Sequence, residues 1–165
     1  MKNLVLSLLL VFCCGIATAQ DVQNSSFDLM LAGLLSDSVP QMDVADVLEH
    51  ESAILLDARA YEEFETSHIS NALWVGYDEF DPKSVADLNK DQTVIVYCSV
   101  GYRSERIGEK LVDLGFANVY NLYGGIFEWV NQGQPVQNQD GNATEDVHCY
   151  SKLWGVWLER GSKVY

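Results

Sequence analysis

"TVIVYCSVGYRSERIG", residues 93–108, is the stretch on which the fold turns. Thr93 to Tyr97 is an unbroken β-branched and aromatic run, the composition of a strand buried on both faces. It stops on Cys98, passes through Ser99, Val100, Gly101 and Tyr102, and reaches Arg103. From Arg103 to Leu114 the apolar residues Ile107, Leu111 and Leu114 recur at helical spacing, and Gly115 ends the pattern. A doubly buried strand that runs straight into a helix belongs to a parallel sheet, so these residues predict an α/β fold.

The same alternation continues on both sides. Ala53 to Leu56 and Ala72 to Val75 read as strands, Tyr61 to Glu65 and Lys83 to Leu88 as short helices. Asn118 to Leu122 is a further strand, Gly124-Gly125 a turn, and Ile126 to Asn131 a last helix. Upstream, Phe27, Met30, Leu31, Leu34 and Leu35 fall at helical spacing until Pro40 breaks the run, and Asp43 can cap a short helix from Val44 to His50. Downstream, residues 137–146 are polar and turn-rich. The tail from Tyr150 to Tyr165 carries Leu153, Trp154, Trp157 and Leu158 as the apolar stripe of a helix that docks back on the domain. The expected architecture has three layers, a central mostly parallel sheet with helices on both faces. It comprises an N-terminal helical segment (20–39), one domain (40–136), and a C-terminal loop and docking helix (137–165).

Residues 1–19 read as an export signal. Lys2 is the positive n-region, Leu4 to Ile16 an apolar run too short to span a bilayer, and Ala17-Thr18-Ala19 a small-residue cleavage pattern. A bacterial periplasmic or secreted location is expected. Cys13 and Cys14 would allow lipidation and hence membrane anchoring, although Phe12 is bulky where a small residue is preferred. Of the four cysteines, only Cys98 and Cys149 lie beyond the signal, so they form one bond or one of them is a working thiol. The formal net charge of −14 makes nucleic acid and anionic membranes poor partners. It also repels anionic substrates at long range, so an anion site has to be made locally.

Cys98 is where such a site is expected. Ligands in open parallel sheets bind outside the carboxyl ends of the strands. There the thiol lies beside the N-terminus of the next helix, whose free N–H groups and dipole stabilise an anion, the thiolate included. Gly101 permits positive φ and close backbone approach. Arg103 can fold back onto an anionic substrate.

The segment Cys98-Ser99-Val100-Gly101-Tyr102-Arg103-Ser104 resembles the active-site loop of the rhodanese (sulfurtransferase) family. Two further stretches resemble the family's other motifs in the correct order. They are Leu55-Leu56-Asp57-Ala58-Arg59 with Glu63-Phe64 and Ser67-His68-Ile69-Ser70-Asn71-Ala72, and Leu122-Tyr123-Gly124-Gly125-Ile126-Phe127-Glu128-Trp129. The resemblance implies a persulfide on Cys98, cradled by loop N–H groups. Sulfur would pass from thiosulfate or another sulfane donor to a thiophilic acceptor such as a thiol. Cys98 and Arg103 would be catalytic, and Ser99, Val100, Gly101, Tyr102, Asp57 and Arg59 would contact the substrate or order the site. No metal or other cofactor is expected, since the histidines and cysteines show no ligand spacing beyond adjacent His148-Cys149. The Arg lies five residues after the Cys, one fewer than in cysteine phosphatases, so the cradle suits a single sulfur atom.

The loop lacks positive charge at Ser99 and Val100, and family glycines are replaced by Ser67 and Asn71; Asn tolerates the left-handed conformation. His68 reads as structural more readily than as a base, and Arg59 as one half of a surface ion pair. Arg106, in the first helical turn, would add local positive potential. Tyr102, Tyr123 and Trp129 are candidates to wall the site. The alternative to an enzyme is a non-catalytic or redox-sensing module using Cys98, with Cys149 as its resolving partner.

Overall fold

Five short runs pair in parallel in the computed structural model, which describes residues 22–165. They are β1 (Gln41–Met42), β2 (Ile54–Asp57), β3 (Leu73–Trp74), β4 (Thr93–Tyr97) and β5 (Asn118–Leu122), ordered β1-β5-β4-β2-β3. The expected export signal lies outside the described residues. Before, between and after these strands lie α1 (Ser25–Leu34), α2 (Val44–Glu49), α3 (Tyr61–Thr66), α4 (Tyr102–Asp113) and α5 (Gly125–Asn131). The architecture is the expected α/β one, with a parallel sheet flanked by helices.

Strand alternation splits the core into two layers. Val94 and Val96 of β4 pack with Leu56, Val119 and the α4 residues Ile107 and Leu111. Ile95 and Tyr97 point the other way, to Phe27 and Leu31 of α1 and Ile126 and Phe127 of α5. Burying each such aliphatic side chain contributes about 1.5–3 kcal/mol. The central strand is therefore secured from both faces, and its end is a rigid mounting for the cysteine loop. Register sets the neighbours of that end. Asp57 lies opposite Tyr97, and Val96 opposite Asn121, so the carboxyl ends of β2, β4 and β5 form one rim.

Two expected helices take other forms. Residues 83–88 hold only a 3₁₀ turn, Pro82–Val85, started by Asp81, whose side chain accepts from the Lys83 N–H, and by Pro82 in the first turn. The tail likewise makes a single 3₁₀ turn, Trp154–Trp157, instead of a docking helix. It is held between β8 (Asp146–His148) and β9 (Ser162–Val164), which pair in parallel; β6 (Val136–Gln137) and β7 (Ala143–Thr144) precede them as an antiparallel pair. Gly155 sits inside that turn with the Tyr165 hydroxyl 2.7 Å from where a Cβ would lie, and Gly161 takes φ +84°. A run bounded by these two glycines is too short for a stable α-helix. The stripe docks through part of its length: Trp157 stacks on Phe27 at 5.4 Å and Leu158 is buried, while Leu153 is 76% exposed.

Candidate active site

Cys98 leaves β4 at the rim and is almost fully buried. The loop turns back at Gly101, whose φ of +117° is open to glycine and whose N–H donates to Cys98 Sγ at 3.1 Å. Gly101 is also the N-cap of α4, so the sulfur lies at the start of a twelve-residue helix. The free N–H groups and positive dipole end of that helix favour a negative sulfur.

The loop is clamped from three directions. From the sheet, Asn121 Nδ2 donates to the Gly101 carbonyl at 3.1 Å, and Ser104 Oγ donates to Asn121 Oδ1 at 2.7 Å. From α5, Ile126 N–H donates to the Cys98 carbonyl at 2.9 Å and Phe127 N–H to the Ser99 carbonyl at 3.2 Å. That approach explains Gly125: a Cβ there would lie 2.4 Å from the Cys98 carbonyl oxygen, and its φ is +57°.

The third clamp is ionic. Arg103 folds back, as expected, but onto Glu63 of α3. Its Nη1 and Nη2 donate to the two carboxylate oxygens at 2.7 and 2.8 Å, and Nη2 also donates to Ser99 Oγ at 2.9 Å. Ser99 Oγ itself donates to Glu63 at 3.0 Å, and the Ala60 N–H completes the carboxylate's shell at 3.0 Å. Burial disfavours the Glu63 carboxylate, but the Arg103 hydrogen bonds and charge outweigh it and hold its pKa below the ordinary 4.5. Burial likewise works against the Arg103 cation, and the Glu63 hydrogen bonds more than offset it, so the pKa lies above the usual arginine value. Glu63 does not stand out as a site residue in the sequence. Its only signals are its place in the Glu63-Phe64 motif and its position three residues after the N-cap Ala60, from which a carboxylate reaches back to the N-cap N–H.

Asp57 and Arg59 come together beneath the site and not in it. Arg59 is fully buried, which corrects its reading as a surface ion pair. Its Nε and Nη2 grip Asp57 at 2.6–3.1 Å, and Nη2 also donates to the Ser67 carbonyl at 2.6 Å. Neither residue lines the pocket above Cys98, so direct contact with a donor from solvent is closed to them; they brace the β2 end and the turn after α3. His68 is similarly structural: Nδ1 is 3.0 Å from the Phe64 carbonyl, Nε2 is 3.1 Å from Gln137 Nε2, and the ring stacks on Phe64. At the positions of the family glycines, Asn71 takes φ +63° and Ser67 is extended at φ −166°, so neither substitution strains the turn.

Cys98, Ser99 and Val100 open onto a pocket of about 300 Å³. Tyr102 and Arg103 line it, together with Tyr77 and Asp78 from the segment after β3. Tyr150 and Trp154 reach it from the tail. Of the expected aromatic walls only Tyr102 is there. The Tyr123 hydroxyl donates to Asp28 at 2.9 Å and Trp129 Nε1 to the Pro135 carbonyl at 2.9 Å, both away from the pocket. Arg106 turns outward to Glu109 at 2.6 Å. Cys149 is a buried free thiol whose pKa burial pushes up.

The carboxyl rim of the parallel sheet thus carries a buried cysteine in a loop held by Gly101, Arg103 and the close approach of Gly125. The family model for the rhodanese-like domain matches residues 41–132, and the chain belongs to that family. A tRNA uridine(34) hydroxylase of Salmonella newport is 32% identical over 128 residues, which cover 72% of this chain and 36% of the relative. The chain thus spans about a third of the length of the curated relatives it matches. Among solved structures, a rhodanese-related protein of Thermoplasma volcanium aligns with a TM-score of 0.51 at 28% identity, over 59% of this chain and 96% of that one. A thiosulfate sulfurtransferase of Pseudomonas aeruginosa aligns with a TM-score of 0.56 at 24% identity, over 71% of this chain and 22% of its own, and shares the fold.

Proposed function

We propose that the protein is a sulfurtransferase that carries a sulfane sulfur as a persulfide on Cys98. The observation that carries this reading is the thiol at the α4 N-terminus with the Gly101 N–H 3.1 Å from its sulfur. In the first step the Cys98 thiolate attacks the outer sulfur of a donor such as thiosulfate. The sulfur–sulfur bond breaks and sulfite leaves with the electron pair. The terminal sulfur of the Cys98 persulfide carries the negative charge, which the loop N–H groups and the helix dipole stabilise. In the second step a thiolate or cyanide attacks that terminal sulfur and Cys98 leaves as the thiolate.

Arg103 serves chiefly as a positioning residue, because three of its five N–H donors go to Glu63 and Ser99. It keeps the loop curled around the sulfur. We also propose that the chain is exported; the signal-like residues 1–19 support this, and fractionation of the expressing cell tests it. A role on tRNA, as the relatives' name describes for them, is opposed by the net charge of −14.

Cyanolysis after incubation with thiosulfate or another sulfane donor tests the reaction. Wild type should yield thiocyanate and a +32 Da adduct on Cys98, one sulfur atom. Cys98→Ser should yield neither while melting at a similar temperature. No adduct with any donor overturns the proposal.

A further inference from the structure

The pocket above Cys98 is wider and less cationic than an inorganic anion requires. Two arginines lie near the loop, and each is matched by a buried carboxylate: Arg59 by Asp57 and Arg103 by Glu63. Asp78, also on the pocket, adds negative charge. Among the described residues that line it, no surplus cation faces a dianion. The guanidinium of Arg103 gives hydrogen bonds to Glu63 and Ser99, and its central carbon lies over the Tyr150 ring, 5.3 Å from the ring centroid.

What the pocket offers instead is aromatic surface: Tyr77, Tyr102, Tyr150 and Trp154. Its volume of about 300 Å³ matches the smaller cavities that enclose organic ligands, and a thiosulfate ion would fill a small part of it. Two of the four rings, Tyr150 and Trp154, come from the tail, beyond the family-matched residues 41–132. The placement of Tyr150 is costly. It takes φ +61°, a region that bulky side chains avoid, and is held there by its neighbours. The Cys149 N–H donates to the Val164 carbonyl at 2.9 Å, continuing the β8–β9 pair, and the Tyr150 N–H donates to His148 Nδ1 at 3.2 Å. The strand pair thereby aims Tyr150 at Arg103.

We propose that Tyr150 and Trp154 are specificity-determining residues that favour sulfane donors bearing an apolar, ring-sized body over inorganic thiosulfate. The proposal rests on the sulfur-transfer reading of Cys98. With an arene thiosulfonate the step balances without any redox partner. The Cys98 thiolate attacks the terminal sulfur, the sulfur–sulfur bond breaks, and the arene sulfinate leaves with the electron pair; a Cys98 persulfide anion remains. The apolar body packs against the tail rings while the terminal sulfur reaches the loop.

The test compares benzenethiosulfonate with thiosulfate as donor, by cyanolysis, in wild type, Tyr150→Ala, Trp154→Ala and the double variant. Because the donors differ in intrinsic reactivity, the readout is how the ratio of their kcat/KM values changes between proteins. The double variant should lower the benzenethiosulfonate-to-thiosulfate ratio at least tenfold, mainly through KM for the arene donor. A ratio that stays within twofold, or a parallel fall for both donors, overturns the proposal. Calorimetric titration of Cys98→Ser with benzenesulfinate separates it from the parent reading, since no turnover is involved. Binding that is lost when Tyr150 and Trp154 are also replaced supports the pocket assignment, and absence of binding overturns it. Wild type that binds benzenesulfinate yet loads sulfur from neither donor overturns sulfur transfer instead.

Discussion

Glu63→Gln is the sharpest probe of how the loop is held. The carboxylate accepts four hydrogen bonds, from Ala60 N–H, Ser99 Oγ and both terminal nitrogens of Arg103. Glutamine keeps one acceptor oxygen. Whichever way the amide is turned, its NH₂ group meets two of those donors. The Ser99 hydroxyl can reverse its role and accept from the amide, but an Arg103 N–H cannot, so at least one charge-assisted hydrogen bond is lost and Arg103 is left without its counter-ion. Removing one partner of a buried pair costs about 3–5 kcal/mol. Arg103 is 18% exposed, and water relieves part of that cost, which places the expected loss at about 3 kcal/mol. In a domain of this size that corresponds to a fall in Tm of roughly 6–12 °C. The effect also has a pH signature. The folded-state pKa of Glu63 lies below its ordinary 4.5, so its contribution is complete above that pH and is lost as pH falls through the lowered folded value. Urea unfolding of both proteins at neutral pH and at about pH 3 should show the gap closing in acid. A loss below about 1 kcal/mol at neutral pH, or a gap undiminished in acid, would refute the view that this pair holds the loop.

Other substitutions probe the remaining clamps. Gly125→Ala would push a methyl group to 2.4 Å from the Cys98 carbonyl oxygen at a left-handed φ, and should cost about 2–4 kcal/mol with loss of most sulfur loading, measured by melting and cyanolysis. Ser104→Ala strips Asn121 Oδ1 of its 2.7 Å donor, and denaturant unfolding should register about 1–3 kcal/mol. His68→Gln should lower Tm yet leave the pH dependence of sulfur transfer in place, because both ring nitrogens are occupied by Phe64 and Gln137; a shifted pH profile would make His68 a participant.

Local pattern carried much of the architecture. The β4 run, the helical spacing through Leu111 and the glycines at 101 and 125 are constraints that act within a few residues. A chain with doubly buried strands and interleaved helices has few alternatives to a parallel sheet. Cys98 and Arg103 were legible for the same reason: the short step between them fits one tight turn at a strand end. Partners distant in sequence were not legible. Arg59 looked like a surface residue because nothing in Asp57-Ala58-Arg59 reports that β4 and the Ser67 turn close over it. The tail stripe suggested a helix, and its spacing was compatible with one until the β8–β9 pairing and Gly155 shortened it to a turn.

By itself the sequence determined the layering of the sheet, the place of the thiol and the glycine-dependent curl of its loop, because strand alternation and positive φ are properties of the local chain. Tertiary structure alone decided what neutralises Arg103 and what walls the pocket. Glu63 is forty residues from Arg103, and Tyr150 nearly fifty, and their charge and surface matter to Cys98 only once α3 and the tail have packed against the loop.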